Sequence, residues 1–150
     1  MRLLFLGSGS AFTVGADNYQ SNLLLTNEVG EHLLIDCGSD IRFSLYDQGL
    51  SYQDIRNIYI SHLHADHVGG MEYIGLTTFF DPHCPKPNLY VSKDVGHELW
   101  DRSLAGGMQS IGDDLAELNT FFNVFKINRQ GSFIWSGLIF QLVRVIHIHN

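Results

Sequence analysis

Three histidines and an aspartate crowd into six residues of this chain, in Ser61-His62-Leu63-His64-Ala65-Asp66-His67. The cluster directly follows a short β-rich run, Ile58-Tyr59-Ile60, and is closed by Gly69-Gly70. In extended backbone, residues two apart project to the same side, so His62 and His64 can share one ion. Asp66 and His67 come where the chain bends, and can face a second ion beside the first. Imidazole and carboxylate donors suit zinc, with manganese and iron as alternatives. The two glycines let the backbone turn away tightly behind the ligands. A lone histidine in such a loop reads as solvated surface; this ordered set, after an apolar strand, reads as a metal site.

The 150 residues suit one domain over 1–150, and 45% of them are hydrophobic, enough for a packed core. Short apolar runs predict strands over Arg2–Leu6, Asn22–Thr26 and His32–Asp36, with 27–31 as a hairpin connection between the last two. Ser39 is placed to cap a helix ending near Gln48, before Gly49. A helix is expected from Met71, and an irregular loop at 81–87, which holds all three prolines. A strand follows at Asn88–Ser92, then helices over Asp94–Leu104 and Asp113–Leu118. Strands are expected over Phe121–Ile127, Phe133–Trp135 and Leu138–Ile148. Helices and strands interleave throughout, so the class is mixed α/β, with α+β character.

Net charge bears on partners. The chain carries −7, with 9 Lys+Arg against 16 Asp+Glu and no basic run. A protein that tracks a nucleic-acid backbone usually clusters positive charge, so a small anionic substrate fits better than a large polyanion. The two cysteines, Cys37 and Cys84, form no Cys-x-x-Cys pair and read as reduced thiols of a cytoplasmic protein. The apolar run Met1–Leu6 is too short for a signal-peptide core or a membrane span.

The sequence His62-Leu63-His64-Ala65-Asp66-His67 resembles the His-x-His-x-Asp-His signature of the metallo-β-lactamase-fold superfamily. Phe5-Leu6-Gly7-Ser8-Gly9-Ser10 resembles the opening of its ribonuclease Z-like, phosphodiesterase-like branch. Tyr19 to Leu25 and Leu33-Leu34-Ile35-Asp36-Cys37-Gly38 are similar to the strands that follow. The resemblance implies an αββα sandwich of which this chain reaches only into the second β-layer. It implies that His62 and His64 hold a first metal and that Asp66 and His67 hold a second. Asp36 would sit beneath the metal loop and hydrogen-bond its backbone or ligands. A further histidine for the first site is implied at the end of a downstream strand: His147, with His149 as the alternative. The family's bridging aspartate and last histidine have no counterpart after His149. Three arrangements stay open: a fragment of a longer enzyme, a second half from another chain, or one ion only.

The activity implied is metal-dependent hydrolysis of a phosphodiester, a small or cyclic nucleotide in preference to RNA. One or two zinc ions would lower the pKa of a bound water so that hydroxide is available near neutral pH, with Asp66 orienting it. Hydrolysis of a thioester, lactone or lactam is the alternative within the fold. A non-catalytic metal-binding fragment, or half of a split protein, is the alternative outside it. An unfinished sheet would expose an edge and an apolar face, so self-association or a missing C-terminal half is expected as partner. The aromatic residues around Phe79-Phe80 and Phe121-Phe122 read as core, although the loop after the helix from Met71 could bring Phe79 and Phe80 to the substrate. His83 and Cys84 read as solvated loop residues.

Overall fold

The computed structural model describes residues 1–14 and 18–145. Strands β1 (Arg2–Phe5), β2 (Leu23–Thr26) and β3 (His32–Ile35) are followed by helix α1 (Ile41–Asp47) and strand β4 (Asn57–Ile60). Then come α2 (Ala65–Val68), α3 (Met71–Phe80), β5 (Asn88–Ser92) and α4 (Lys93–Leu99). A π-helical turn over Trp100–Leu104 carries α4 into α5 (Ala105–Met108). The remainder is β6 (Ser110–Ile111), β7 (Asp114–Leu115), α6 (Leu118–Phe121), β8 (Asn123–Ile127), β9 (Ser132–Trp135) and β10 (Leu138–Gln141).

Six strands form one sheet in the order β1-β2-β3-β4-β5-β8. β1 and β3 are each antiparallel to β2, while β3, β4, β5 and β8 run parallel. The C-terminal ends of β1, β3, β4, β5 and β8 therefore share one edge of the sheet. Everything that follows those strands is delivered there, including the residues after Ile35 and the histidine cluster after Ile60.

Side-chain alternation splits the sheet into two faces. Leu24, Leu34, Ile58, Ile60, Leu89 and Val91 pack on the helical side, against residues such as Ile41, Leu45, Met71 and Ile74. Leu33, Tyr59, Tyr90 and Ile127 point the other way and are covered by the β9–β10 hairpin. Its turn places Ser136 and Gly137 both at positive φ, the two-residue geometry whose twist matches the flanking strands. Phe133 stacks on Tyr90 at 4.6 Å and on Phe140 at 4.8 Å. Asn27 Nδ2 donates to Ser136 Oγ at 3.1 Å and ties the hairpin's tip to the β2–β3 turn.

Several expected elements are corrected. The helix over Asp113–Leu118 is absent: Asp114–Leu115 pairs with Ser110–Ile111 as a small ribbon, and helix begins only at Leu118. Gly112, at φ 61°, makes the turn between those strands. Phe121 closes α6 rather than opening a strand, because it is buried against Trp100 and Phe79. The last strand stops at Gln141 among the described residues, short of Ile148. Ser39 does not cap α1; its hydroxyl donates instead to the Ala65 carbonyl at 3.0 Å, across to the histidine loop. No helix among the described residues is long and apolar enough to cross a membrane.

Candidate metal centre

β3 and β4 lie side by side, so Asp36 leaves the sheet next to Ser61. Asp36 has φ 62°, a left-handed conformation that aspartate tolerates better than most residues. Its backbone N–H extends the ladder to the Tyr59 carbonyl at 2.8 Å. Its carboxylate then turns under the histidine loop. Oδ1 accepts from the Ser61 amide at 2.8 Å, and Oδ2 accepts from Ser61 Oγ at 2.8 Å and from His67 Nδ1 at 2.7 Å.

These bonds decide which imidazole nitrogen carries a proton. Ser61 Oγ spends its hydrogen on Asp36, so at 2.9 Å it accepts from His62 Nδ1–H. The lone pair of His62 is then at Nε2, which lies 3.0 Å from His64 Nδ1. By the same logic His67 donates from Nδ1, leaving its lone pair at Nε2, 3.4 Å from Asp66 Oδ2. One buried carboxylate thus orients two imidazoles, the arrangement by which metal-ligating histidines are commonly held. The Asp36 hydrogen bond raises the pKa of His67 above its ordinary value, against the opposing effect of burial.

The donor set fits metal ions. Two nitrogens on one tetrahedral zinc, each about 2.0–2.1 Å away, stand about 3.3 Å apart. His62 Nε2 and His64 Nδ1 are set at that spacing, and so are His67 Nε2 and Asp66 Oδ2. The second pair brings a nitrogen lone pair against a carboxylate oxygen, which a shared cation or proton relieves. Asp66 is buried, and its Oδ1 has no hydrogen-bond partner among the described residues. A buried carboxylate oxygen left that way is costly in the absence of a cation. The rings of His62 and His67 lie 4.0 Å apart, so the two pairs are adjacent.

Among the described residues no group of three or more His, Cys, Asp or Glu side chains is arranged to hold a single ion. The cluster stands as two pairs, because α2 begins at Ala65 and turns Asp66 and His67 away from the extended His62–His64 segment. His147 and His149, named as the further ligand, lie outside the described residues.

Phe79, Phe80, His83 and Cys84 do not approach this centre. α3 runs away from it, and the residues after its end meet the opposite edge of the sheet. There Asp81 accepts from Gln53 at 2.8 Å, and Arg56 Nη1 contacts Cys84 Sγ at 2.9 Å just before β4 begins. Conversely, sequence reasoning gave no role to Ser61 or Asn22. Asn22 is buried, and its Oδ1 accepts from the Gly38 amide at 2.8 Å. Gly38 must be glycine, since a Cβ there would overlap the Asp66 carbonyl oxygen. Cys37 completes the clasp: its N–H donates to the His67 carbonyl at 2.7 Å and its carbonyl accepts from Gly70 N at 2.8 Å. A serine immediately before the histidines was the one visible signal for this support.

Solved structures share this arrangement of sheet and helices. A diphosphatase of the PhnP family aligns over 97% of this chain and 57% of its own, with TM-score 0.71 at 21% identity. The metallo-β-lactamase fold protein YhfI of Bacillus subtilis aligns over 88% and 48%, with TM-score 0.64 at 16% identity. The chain accordingly has the metallo-β-lactamase fold, as its histidine motif implied. Within that class it belongs to the Apyc1 family, since the family profile described as Anti-Pycsar protein Apyc1 matches residues 1–150. The Anti-Pycsar protein Apyc1 of Paenibacillus harenae is 36% identical over 152 residues, which take in 100% of this chain. The chain spans about 60% of the length of that relative.

Proposed function

We propose that this protein is a metal-dependent phosphodiesterase acting on a small or cyclic nucleotide, with zinc as its metal and manganese or iron as alternatives. The observation that carries the reading is the pairing of donors over one orienting carboxylate: His62 with His64, and Asp66 with His67, all above Asp36. His62 and His64 would hold one ion, and Asp66 and His67 another. Ions so held supply Lewis acidity toward the phosphate and a strong nucleophile near neutral pH. The protein's own part is orientation and proton handling. Asp36 keeps the lone pairs of His62 and His67 on Nε2, and Asp66 would orient the attacking water while holding its ion. Hydrolysis then breaks one P–O bond, with the water oxygen on phosphorus and a proton on the leaving oxygen.

The name shared by its relatives, Anti-Pycsar protein, points to action against a cyclic-nucleotide signalling system and supports a cyclic nucleotide as substrate. The net charge of −7 supports a small substrate over RNA. For partners we propose self-association through the apolar sheet face. A second reading, metal or partner binding without turnover, is kept because the chain spans about 60% of the length of its relative. One experiment separates the two. Protein purified without added metal is assayed for zinc, manganese and iron, and then for release of linear nucleotide from a cyclic mononucleotide. Bound metal with turnover, both lost in His62→Ala/His64→Ala, is expected. Bound metal without turnover on cyclic nucleotides or a panel of model esters would move the protein to the second reading.

A further inference from the structure

The loop between β1 and β2 emerges on the same sheet edge as the histidine loop, and it holds the most exposed large apolar side chains of the described residues. Phe12 is 91% exposed and Val14 96%. They are presented by a built turn. Thr13 N–H donates to the Ser10 carbonyl at 3.0 Å, and the Thr13 side chain fills the space over Gly9 that a Cβ would need. Gly9 N–H donates to the Tyr19 carbonyl at 2.9 Å, and Ser8 N–H to Asn18 Oδ1 at 3.0 Å. The foot of the loop is pinned to the stretch Cys37–Asp40: Gln20 N–H donates to Asp40 Oδ2 at 2.8 Å, and Asn22 Oδ1 accepts from Gly38 N–H. The opposite side of that same stretch clasps the histidine loop through Cys37, bonded to His67 and Gly70. Four residues thus hold both the aromatic tip and the back of the metal centre.

Phe12 packs no core, and no charged residue occurs from Ser10 to Val14 in a chain that is acidic as a whole. A phosphodiester drawn to cations beside Asp66 still has its base to place, and an exposed phenyl ring offers a face on which any base can stack. Phe79 and Phe80 cannot serve, since they lie at the far edge of the sheet. We infer that Phe12 is the residue on which the nucleobase of the substrate stacks, with Val14 extending the apolar rim beside it. The inference rests on the phosphodiesterase reading above.

The test compares zinc-loaded wild type, Phe12→Ala and Phe12→Trp. For each, Kd and kcat/KM are measured with a 3′,5′-cyclic mononucleotide and with the corresponding ribose cyclic phosphate that lacks a base. The preference for the nucleotide over the base-free compound is expected to fall at least about fivefold in Phe12→Ala and to recover in Phe12→Trp. Far-ultraviolet dichroism should be unchanged, as an exposed side chain is removed. An unchanged preference, with turnover intact, overturns the inference and leaves the phosphodiesterase reading standing. So does a sedimentation shift toward monomer in Phe12→Ala with the preference unchanged, which assigns the ring to a contact between copies. Failure of wild type to bind or turn over either compound overturns the phosphodiesterase reading and the inference with it.

Discussion

At Asp36 a single carboxylate accepts the Ser61 amide, the Ser61 hydroxyl and His67 Nδ1. Asp36→Asn would put an amide into a pocket built of donors, so at least one of those bonds must break. Such supports commonly matter by about 10–100-fold in metal affinity. We expect a loss of that order in a zinc competition titration, larger than that of Ser61→Ala; equal affinity in wild type and Asp36→Asn would remove Asp36 from the site. Beside it, Cys37 is fully buried, and burial followed by the Asp36 charge pushes its thiol pKa well up. Thiolate is the reactive form, so iodoacetamide should leave Cys37 unmodified in the native protein and label it on denaturation, as read by mass spectrometry. His32 behaves differently. Burial lowers its pKa, so the folded state prefers the neutral ring. The unfolded state then binds protons more readily, and the stability concerned is present above the ordinary histidine pKa of about 6.5 and is lost as pH falls through the lower folded value. Denaturation midpoints should decline over that window, and His32→Gln should remove this part of the decline.

Among the elements, the β9–β10 hairpin depends most on one side chain. Phe133 stacks with Tyr59, Tyr90 and Phe140, and among the described residues β9 and β10 pair only with each other. An isolated two-stranded hairpin is marginal in water, so its order comes from this packing. Phe133→Ala should cost about 3–5 kcal/mol and raise amide exchange in β9 and β10 well before the β3–β4–β5 ladder. Uniform protection after the substitution would mean that the turn and Asn27 hold the hairpin instead. Strands β1 to β5 were legible because alternating or continuous apolar runs end at glycine or polar residues. The region 110–121 was not. Asp113 to Leu118 has helical composition, but Gly112 turns the chain and burial of Phe121 against Trp100 sets where helix starts. Tertiary burial outweighed local propensity there.

For the molecule as a whole, the sheet face that carries the hairpin is covered only in part by the described residues. Leu3 and Phe5 project from that face of β1, opposite Leu4, and remain 50% and 65% exposed. Two neighbouring apolar side chains on an edge strand favour association. Concentration-dependent sedimentation is expected, with Leu3→Lys/Phe5→Lys shifting the protein toward monomer; a monomer at all concentrations in both proteins would contradict it. The residue types and order of the histidine cluster announced the superfamily, because residue identity and a strand-then-bend placement are local properties. The apolar run also put Asp36 at the end of a strand, His32–Asp36. Only the folded chain decided that β3 and β4 are neighbours, so that Asp36 lies under Ser61 and selects the tautomers of His62 and His67. Only the fold sent Phe79 and Phe80 to the far edge while bringing Phe12 to the near one. Strand order and direction set those proximities, and they arise from pairing and burial between segments tens of residues apart, which no local pattern records.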